Sequence, residues 1–417
     1  MTPTMPMDPP EAGEGAVVHI DAAFKAAAPR RYAELREIGP IHRAKLSSGL
    51  DGWLVVDYHL ARQALTHPAL LKDPSPAADA LASVGYVLNQ PGVGLGGQML
   101  EADGQEHTRL RKLVSASFTP RRAADLGPRI RTIADDLVDH LAADNSADLV
   151  ESFTAPLPVT VIAELLGVPE EDRHEFRRWS SDALNLSADN RSALAGLHGL
   201  LARLVADKRT HPQDDLISGL VTVHDDEEGH LSEAELIGTC LLLIVAGHET
   251  TVNFLGNSVL ALLRHPEQAR LLRGTPGLLP GAVEELLRYD TSVETATHRY
   301  AARDLELGGR ILPRGSVVVV ALSSASRDAP MGEGEDSGVL DVSRPAARHM
   351  SFGHGIHHCL GAPLARLEAT TALDVLLRRV PDLELAVGPE EIDWIPAGMM
   401  RGPIALPVRY GAVEPRD

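Results

Sequence analysis

The sequence predicts a mainly α fold with small β-sheets, and three observations carry that prediction. One long apolar helix spans Ser232 to His265. A nearly unbroken series of helical patterns runs from Glu106 to Asp214. The strand-like segments are short and do not alternate with helices, which argues against a parallel βαβ architecture.

Taken in order, residues up to Gly15 are rich in Met, Pro and small side chains and are expected to be a disordered tail, residues 1–15. PIHRAKL, from Pro40, and GWLVV, Gly52 to Val56, read as short strands. YHLARQALTHPALL has helical spacing. From Asp73 to Met99 comes a Gly- and Pro-containing stretch with little periodicity, of a length common in functional lids. The helix from Ser232 to His265 opens on a capping box, Ser232 with Glu235, and stops before Pro266. It should be roughly 50 Å long at 1.5 Å per residue. Its surface is apolar on most sides, so it should be buried. GAVEELLRY forms a further helix after Pro280, DLELGG and SVVVVAL read as strands, and a last helix runs from Gly361 to about Val380.

Composition narrows the function. The 417 residues are 44% hydrophobic but only 4% aromatic, so the core is mostly Leu, Ala and Val. A net charge of −19 argues against nucleic acid, whose phosphates need a basic footprint, and favours solubility. Two cysteines, Cys240 and Cys359, cannot build a disulfide framework, which points to a reducing compartment. No apolar run follows an N-terminal basic cluster, so no signal peptide is expected. The most apolar segment, Leu236 to Gly247, is shorter than the roughly 20 residues a bilayer crossing needs. The expectation is a cytoplasmic protein with no membrane and no nucleic-acid partner.

Two stretches carry chemistry. AGHETT, Ala246 to Thr251, interrupts the apolar helix with polar side chains that cost free energy unless partnered. One reading is a satisfied polar network, with Thr250 bonding back to the preceding turn. A zinc-protease helix fails, because Val252 stands where HExxH needs its second histidine. The remaining reading is a helix whose Gly247 admits a flat ligand, with Glu249 and Thr250 offering an acid and a hydroxyl beside it. The second stretch, FGHGIHHCLGAPLAR, sets Cys359 at the mouth of a helix, where unpaired N–H groups and the helix dipole favour a thiolate. Gly355 and Gly361 permit tight turns on either side. His354, His357, His358 and Cys359 lack the paired spacing of a structural zinc site. A single axial thiolate to haem iron needs one cysteine and a cradle. An inert buried cysteine is the plain alternative.

FGHGIHHCLG resembles the haem-binding loop of the cytochromes P-450, the haem-thiolate monooxygenases, through Phe352, Gly355, His357, Cys359 and Gly361. AGHETT is similar to that family's oxygen-activation motif, with Ala246, Gly247, Glu249 and Thr250. GAVEELLRY carries its Glu-x-x-Arg as Glu285 and Arg288, and HTRLR carries a haem-propionate pair, His107 and Arg111. The motifs fall in the family's order over residues 20 to 410, so residues 16–417 read as one such domain with its long central helix over the haem. Two departures stand out. His358 sits where bacterial members often have Phe, and the segment before the loop lacks the usual Pro and Phe anchors.

The resemblance implies haem b held by the thiolate of Cys359, which pushes electron density onto the iron and favours O–O cleavage of O2. Glu249 and Thr250 would be catalytic, relaying protons. His107, Arg111, Arg299 and His357 would pair the propionates, and Arg344 would complete a buried set with Glu285 and Arg288. No flavin or iron–sulfur motif exists here, so electrons would come from a separate ferredoxin and ferredoxin reductase, with Arg366, Lys112 and Arg121 as a docking patch. Substrate contacts map to Val84 to Met99, the region near Asn185 to Leu200, Leu243 to Thr250, Val293 to Thr297 and the end of the chain. The residues singled out are Val93, Met99, Leu243, Ala246, Val293, Thr295, Met399 and Met400. These are mostly small or aliphatic and suit a bulky apolar substrate. The chain is most similar to actinobacterial macrolide and polyketide hydroxylases. Steroid or terpenoid hydroxylation, epoxidation and oxidative coupling share the motifs. A haem-binding sensor is the non-enzymatic alternative, and a proton relay argues against it.

Overall fold

The computed structural model describes residues 16–85, 98–117, 119–184, 190–224, 231–332, 335–345 and 348–416. The expected N-terminal tail, Val93 and residues 86–97 of the Asp73–Met99 stretch lie outside them.

Helices dominate, and the β-structure is confined to short strands, as expected. In chain order the strands are β1 Val18–His19, β2 Ile41–Lys45, β3 Asp51–Val55, β4 Leu70–Leu71, β5 Ser146–Asp148, β6 Arg299–Ala301, β7 Leu305–Leu307, β8 Arg310–Leu312, β9 Val317–Val320, β10 Glu384–Leu385 and β11 Pro407–Arg409. The main sheet has the order β1-β2-β3-β9-β6-β4. Its β1–β2 and β3–β9 pairs are parallel and the others antiparallel. A three-stranded sheet, β10-β11-β5, joins the C-terminal segment to the middle of the chain. In the β7–β8 hairpin, Gly308 and Gly309 both have positive φ, as a tight two-residue turn requires.

The long helix is Glu233–Arg264, with Ser232 as N-cap and a complete capping box to Glu235. It belongs to the largest apolar cluster, which also takes in the helices Pro156–Leu166 and Ala362–Arg379. By length and composition the whole helix reaches what a membrane crossing needs, which the shorter segment Leu236–Gly247 did not suggest. Most of its apolar window, 61%, is buried inside the fold, so it serves as a core helix.

One element ends earlier than its sequence pattern. The helix beginning at Tyr58 stops at Thr66, and Leu70–Leu71 forms β4 instead. Pro68 is the cause: the residue before a proline is driven out of the α region, and His67 is extended at φ −70°, ψ 125°.

Glu285 and Arg288, on the helix Leu279–Tyr289, are fully buried and joined by two hydrogen bonds of 2.7 and 2.9 Å. Arg344 reaches the same carboxylate at 3.3 Å. Arg288 also donates to the Ser337 and Val339 carbonyls, so the set pins the segment leading into the cysteine loop. Glu285→Gln would leave two guanidiniums without their central anion. It should cost about 3–5 kcal/mol of unfolding free energy, since a buried charge stripped of its partner is strongly unfavourable. Denaturant unfolding checks this, and a loss below about 1 kcal/mol would contradict it.

Candidate active site

Cys359 follows a 3₁₀ turn, Gly355–His357, and precedes the helix Ala362–Arg379, whose N-cap is Gly361. Its N–H donates to the Phe352 carbonyl at 2.9 Å, which closes the loop. The side chain is exposed, yet protein surrounds it closely enough that burial pushes the thiol up. The N–H groups of Gly361 and Ala362, with the charges of Arg111 and Arg366, pull the thiol back toward the thiolate. Cys240, by contrast, is buried in apolar surroundings that push its thiol up to about 12.

The glycines differ from expectation in one respect. Gly355 is left-handed, at φ +79°, and a Cβ there would meet Thr66 Cγ2 at 2.8 Å. Gly361 has φ −78°, open to any residue. The second left-handed position is Gly353, φ +73°, which the sequence reading passed over.

Phe352 is flanked by its loop. Arg366 stacks over its ring at 4.5 Å, and the His349 and His358 rings lie 5.7 and 6.3 Å away. Arg366 is itself held by two hydrogen bonds to Glu284, of 2.6 and 2.8 Å. Arg111 donates to the His358 carbonyl at 2.6 Å, so it braces the cysteine loop from the helix Gly104–Ser117. His358 is exposed, and its ring proton is made easier to lose by burial and by Arg111 and Arg366.

Beside the loop, positive charge accumulates. His107 and His357 stack with ring centroids 4.2 Å apart. Arg299 leads β6 and is 5% exposed. Lys72, equally buried, donates to the Thr297 hydroxyl and, at 3.0 Å, to the His298 carbonyl. The Nε2 atoms of His107 and His357 and the Nε of Arg299 are buried without a hydrogen-bond partner. Every titration shift here has the same sense. Burial, then Arg299, brings Lys72 down to about 7. Burial, then His107, Lys72, Arg299 and Arg111, brings His357 down to about 3. Burial lowers Arg299 as well. Asp103 offsets part of this charge, but its Oδ2 is taken by the backbone N–H groups of Lys72 and Asp73. Lys72 was not legible from sequence, because its partners lie more than two hundred residues away.

The central helix has one open stripe. Leu243, Ala246, Gly247 and Thr250, at helical spacing, are exposed or half-buried amid buried neighbours. Gly247 has a packing role beside the one its sequence suggested. Its missing Cβ would point at Ile162 Cδ1, 3.1 Å away, so it lets the helix Pro156–Leu166 pack closely. Ala246 is the exposed residue of the stripe. Thr250 Oγ1 donates to the Ala246 carbonyl at 2.9 Å, as the network reading anticipated. The Glu249 carboxylate accepts from Asn253 Nδ2 at 2.9 Å. Among the described residues no hydrogen bond joins Glu249 to Thr250. Glu368, on the helix after Cys359, is buried with Oε2 unpartnered, and burial pushes its carboxyl up to about 8.

Val293 pairs with Met400 in an isolated antiparallel bridge, and Thr295 pairs with Ala321. Val293, Met399 and Met400 are half-buried; Thr295 is nearly covered. Met99 begins a 3₁₀ turn and packs on the main core. A surface cleft of about 430 Å3, lined by Arg36, Asp57 and Asp328 among others, shares no residue with any of these groups.

The cytochrome P-450 family profile matches residues 277–331. Cytochrome P-450 monooxygenase PikC of Streptomyces venezuelae is 46% identical over 384 residues, 91% of this chain and 90% of that protein. The vitamin D(3) 25-hydroxylase of Pseudonocardia autotrophica is 43% identical over 91% of this chain and 93% of its own. The solved structure of the Bacillus subtilis bacillaene polyketide synthase cytochrome P-450 PksS superposes with a TM-score of 0.84 at 40% identity, covering 93% of this chain and 97% of that one.

The fold and the site thus define a haem-thiolate monooxygenase, and the chain belongs to the cytochrome P-450 family. An enzyme of this class carries haem on a cysteine thiolate, draws electrons from a redox partner and uses O2. The residues present fit that cofactor. The orphaned nitrogens of His107, His357 and Arg299, beside Lys72, suit an anionic partner such as the haem propionates, and they adjoin a cysteine that protein N–H groups favour as thiolate.

Lys72 gives the cradle a pH signature. Without haem, its folded-state pKa lies below its ordinary value of 10.5, so between about 7 and 10.5 the unfolded chain binds the extra proton. Stability of the haem-free protein should therefore rise with pH across that window, by up to roughly 1.4 kcal/mol per unit from this group. The difference in unfolding free energy between wild type and Lys72→Met, measured at several pH values, should grow in that direction. Haem should flatten it, and a pH-independent difference in the haem-free pair would contradict the assignment.

Proposed function

We propose that the protein inserts one oxygen atom of O2 into a bulky apolar natural product of the polyketide or macrolide type. Cys359 would supply the thiolate that holds the haem iron, and His107, Arg111, Arg299, His357 and Lys72 would hold the propionates. Phe352, Gly355 and Gly361 shape the loop. The observation that carries the reading is the buried basic cluster, with its orphaned His107, His357 and Arg299 nitrogens, beside an exposed cysteine that protein N–H groups favour as thiolate. The polyketide assignment is supported by likeness to PksS and by the aliphatic residues of the open stripe. The likeness to a vitamin D(3) hydroxylase favours a steroid-like substrate as the second reading.

Bound haem supplies the iron that activates O2. The chain supplies the protons. Thr250 Oγ1 has committed its own proton to the Ala246 carbonyl, so in this geometry its lone pairs accept a hydrogen bond. Releasing Ala246 frees it to donate. Asn253 holds Glu249 in one orientation while leaving the carboxylate half-open to water, from which it collects protons. Leu243, Ala246, Val293, Thr295, Met99, Met399 and Met400 form the substrate wall.

Electrons come from a ferredoxin and its reductase in a bacterial cytoplasm. Of the docking patch, Arg366 is largely spent on Glu284, so exposed Lys112 and Arg121 carry more of the attraction. Residues 16–417 act as one domain.

Cys359→Ser should abolish the reduced, carbon monoxide-bound absorption from which the family takes its name, together with oxidation. Cys240→Ser should retain both. Equal loss in the two variants would refute the assignment of Cys359. Thr250→Ala should keep consuming reductant but release much of it as hydrogen peroxide, whereas Glu249→Gln should slow turnover by about 10²–10⁴-fold. Product formed per reductant used checks the first, and wild-type coupling in Thr250→Ala would move the proton relay elsewhere.

A further inference from the structure

Behind the turn that carries Met399 and Met400 lies a buried charge network that the oxidation chemistry does not use. Lys25, on the helix Ala22–Ala26, is 1% exposed. Its Nζ donates to the carbonyls of Gly398 at 2.9 Å and Met400 at 2.7 Å, and pairs with Glu294 at 3.1 Å. Tyr32, on the next helix, donates to the same carboxylate at 2.8 Å. Arg401 returns to the Lys25 carbonyl at 2.6 Å, pairs with Asp290 at 3.0 Å and lies over the Trp394 ring at 3.7 Å.

The front of the same turn is stitched to residues 292–295. Arg401 N–H donates to the Ser292 carbonyl at 2.7 Å, and Glu294 N–H to the Met399 carbonyl at 2.9 Å. Side chains alternate along this segment: Val293 is half-open, while Glu294 is buried toward Lys25. Two carbonyls of the turn are drawn to one ammonium from the far end of the chain. Backbone carbonyls buried without donors are costly, so the turn's geometry depends on that donor.

We propose that Lys25 is a positioning residue that fixes the turn Gly398–Arg401, and through it the shape of the substrate wall at Val293, Met399 and Met400. This rests on the reading of those residues as substrate contacts. The N-terminal helices thereby become part of the specificity apparatus without touching substrate.

The test uses holoenzyme of Lys25→Met/Glu294→Gln, which removes the buried pair together and leaves no lone buried charge. The amide that Glu294→Gln introduces retains an acceptor for Tyr32. Tyr32→Phe serves as a control that loosens Glu294 but leaves the Lys25–carbonyl bonds. Amide hydrogen exchange over 292–295 and 398–401 should quicken at least tenfold in the double variant. It should stay unchanged in Tyr32→Phe and in the central helix. In spectral titrations, the ratio of dissociation constants for clotrimazole, which is bulky, and imidazole, which is small, should shift at least fivefold. Lys25→Gln/Glu294→Gln, which keeps an amide donor at position 25 and likewise leaves no lone buried charge, should show the same changes, about threefold, and stands in if the first double variant does not accumulate. Unchanged exchange, or an unchanged azole ratio, overturns the proposal. Met400→Ala separates the two readings. If it shifts the azole ratio while the double variant does not, the positioning role falls and the wall stands. If neither shifts the ratio, the wall assignment falls with it.

Discussion

The structure depends on a buried basic cluster that the protein itself leaves without a sufficient anionic partner. Lys72, His107, Arg299 and His357 converge where Asp103 is the main acid, and its Oδ2 is already engaged by the backbone. Without an anionic partner such a cluster sheds protons, His357 at about 3 and Lys72 at about 7, and the charge that stays on Arg299 is desolvated. On the proposed assignment, the two haem propionates would offset that cost. Arg111 links this end of the site to the other, since it bears on the thiol and bonds the His358 carbonyl.

Around that constraint the elements divide their tasks. The helix Ala362–Arg379 aims its N-terminal N–H groups at Cys359. Between Leu236 and Leu262 the central helix is buried except at Leu243 and over Val245–Thr250, where only His248 is covered. The Glu285–Arg288–Arg344 set fixes the approach to the cysteine loop, and the Glu284–Arg366 pair locks the helix that follows it.

What was legible in the sequence was local. Ser232 and Glu235 announced the start of the central helix, and FGHGIHHCLG announced the thiolate loop. The arginine placed at Arg344 meets Glu285 although the usual flanking anchors are missing. What was not legible involves partners distant along the chain or decided by packing. Lys72 bonds Thr297, and Lys25 bonds Met400. Gly247 carries no side chain because Ile162 occupies the space. Gly353, not Gly361, takes the second left-handed turn. The helix after Tyr58 was overextended because the apolar spacing continues past Pro68 while the backbone cannot.

The cradle's dependence on an anionic partner can be measured by comparing haem with its dimethyl ester, which preserves the iron and macrocycle but removes both propionate charges. The account predicts that the ester binds the haem-free protein at least tenfold more weakly, and that Lys72→Met narrows the gap by weakening only the native haem. Equal affinity for the two cofactors would show that the buried cations are not there for the propionates, and would contradict the account at its centre.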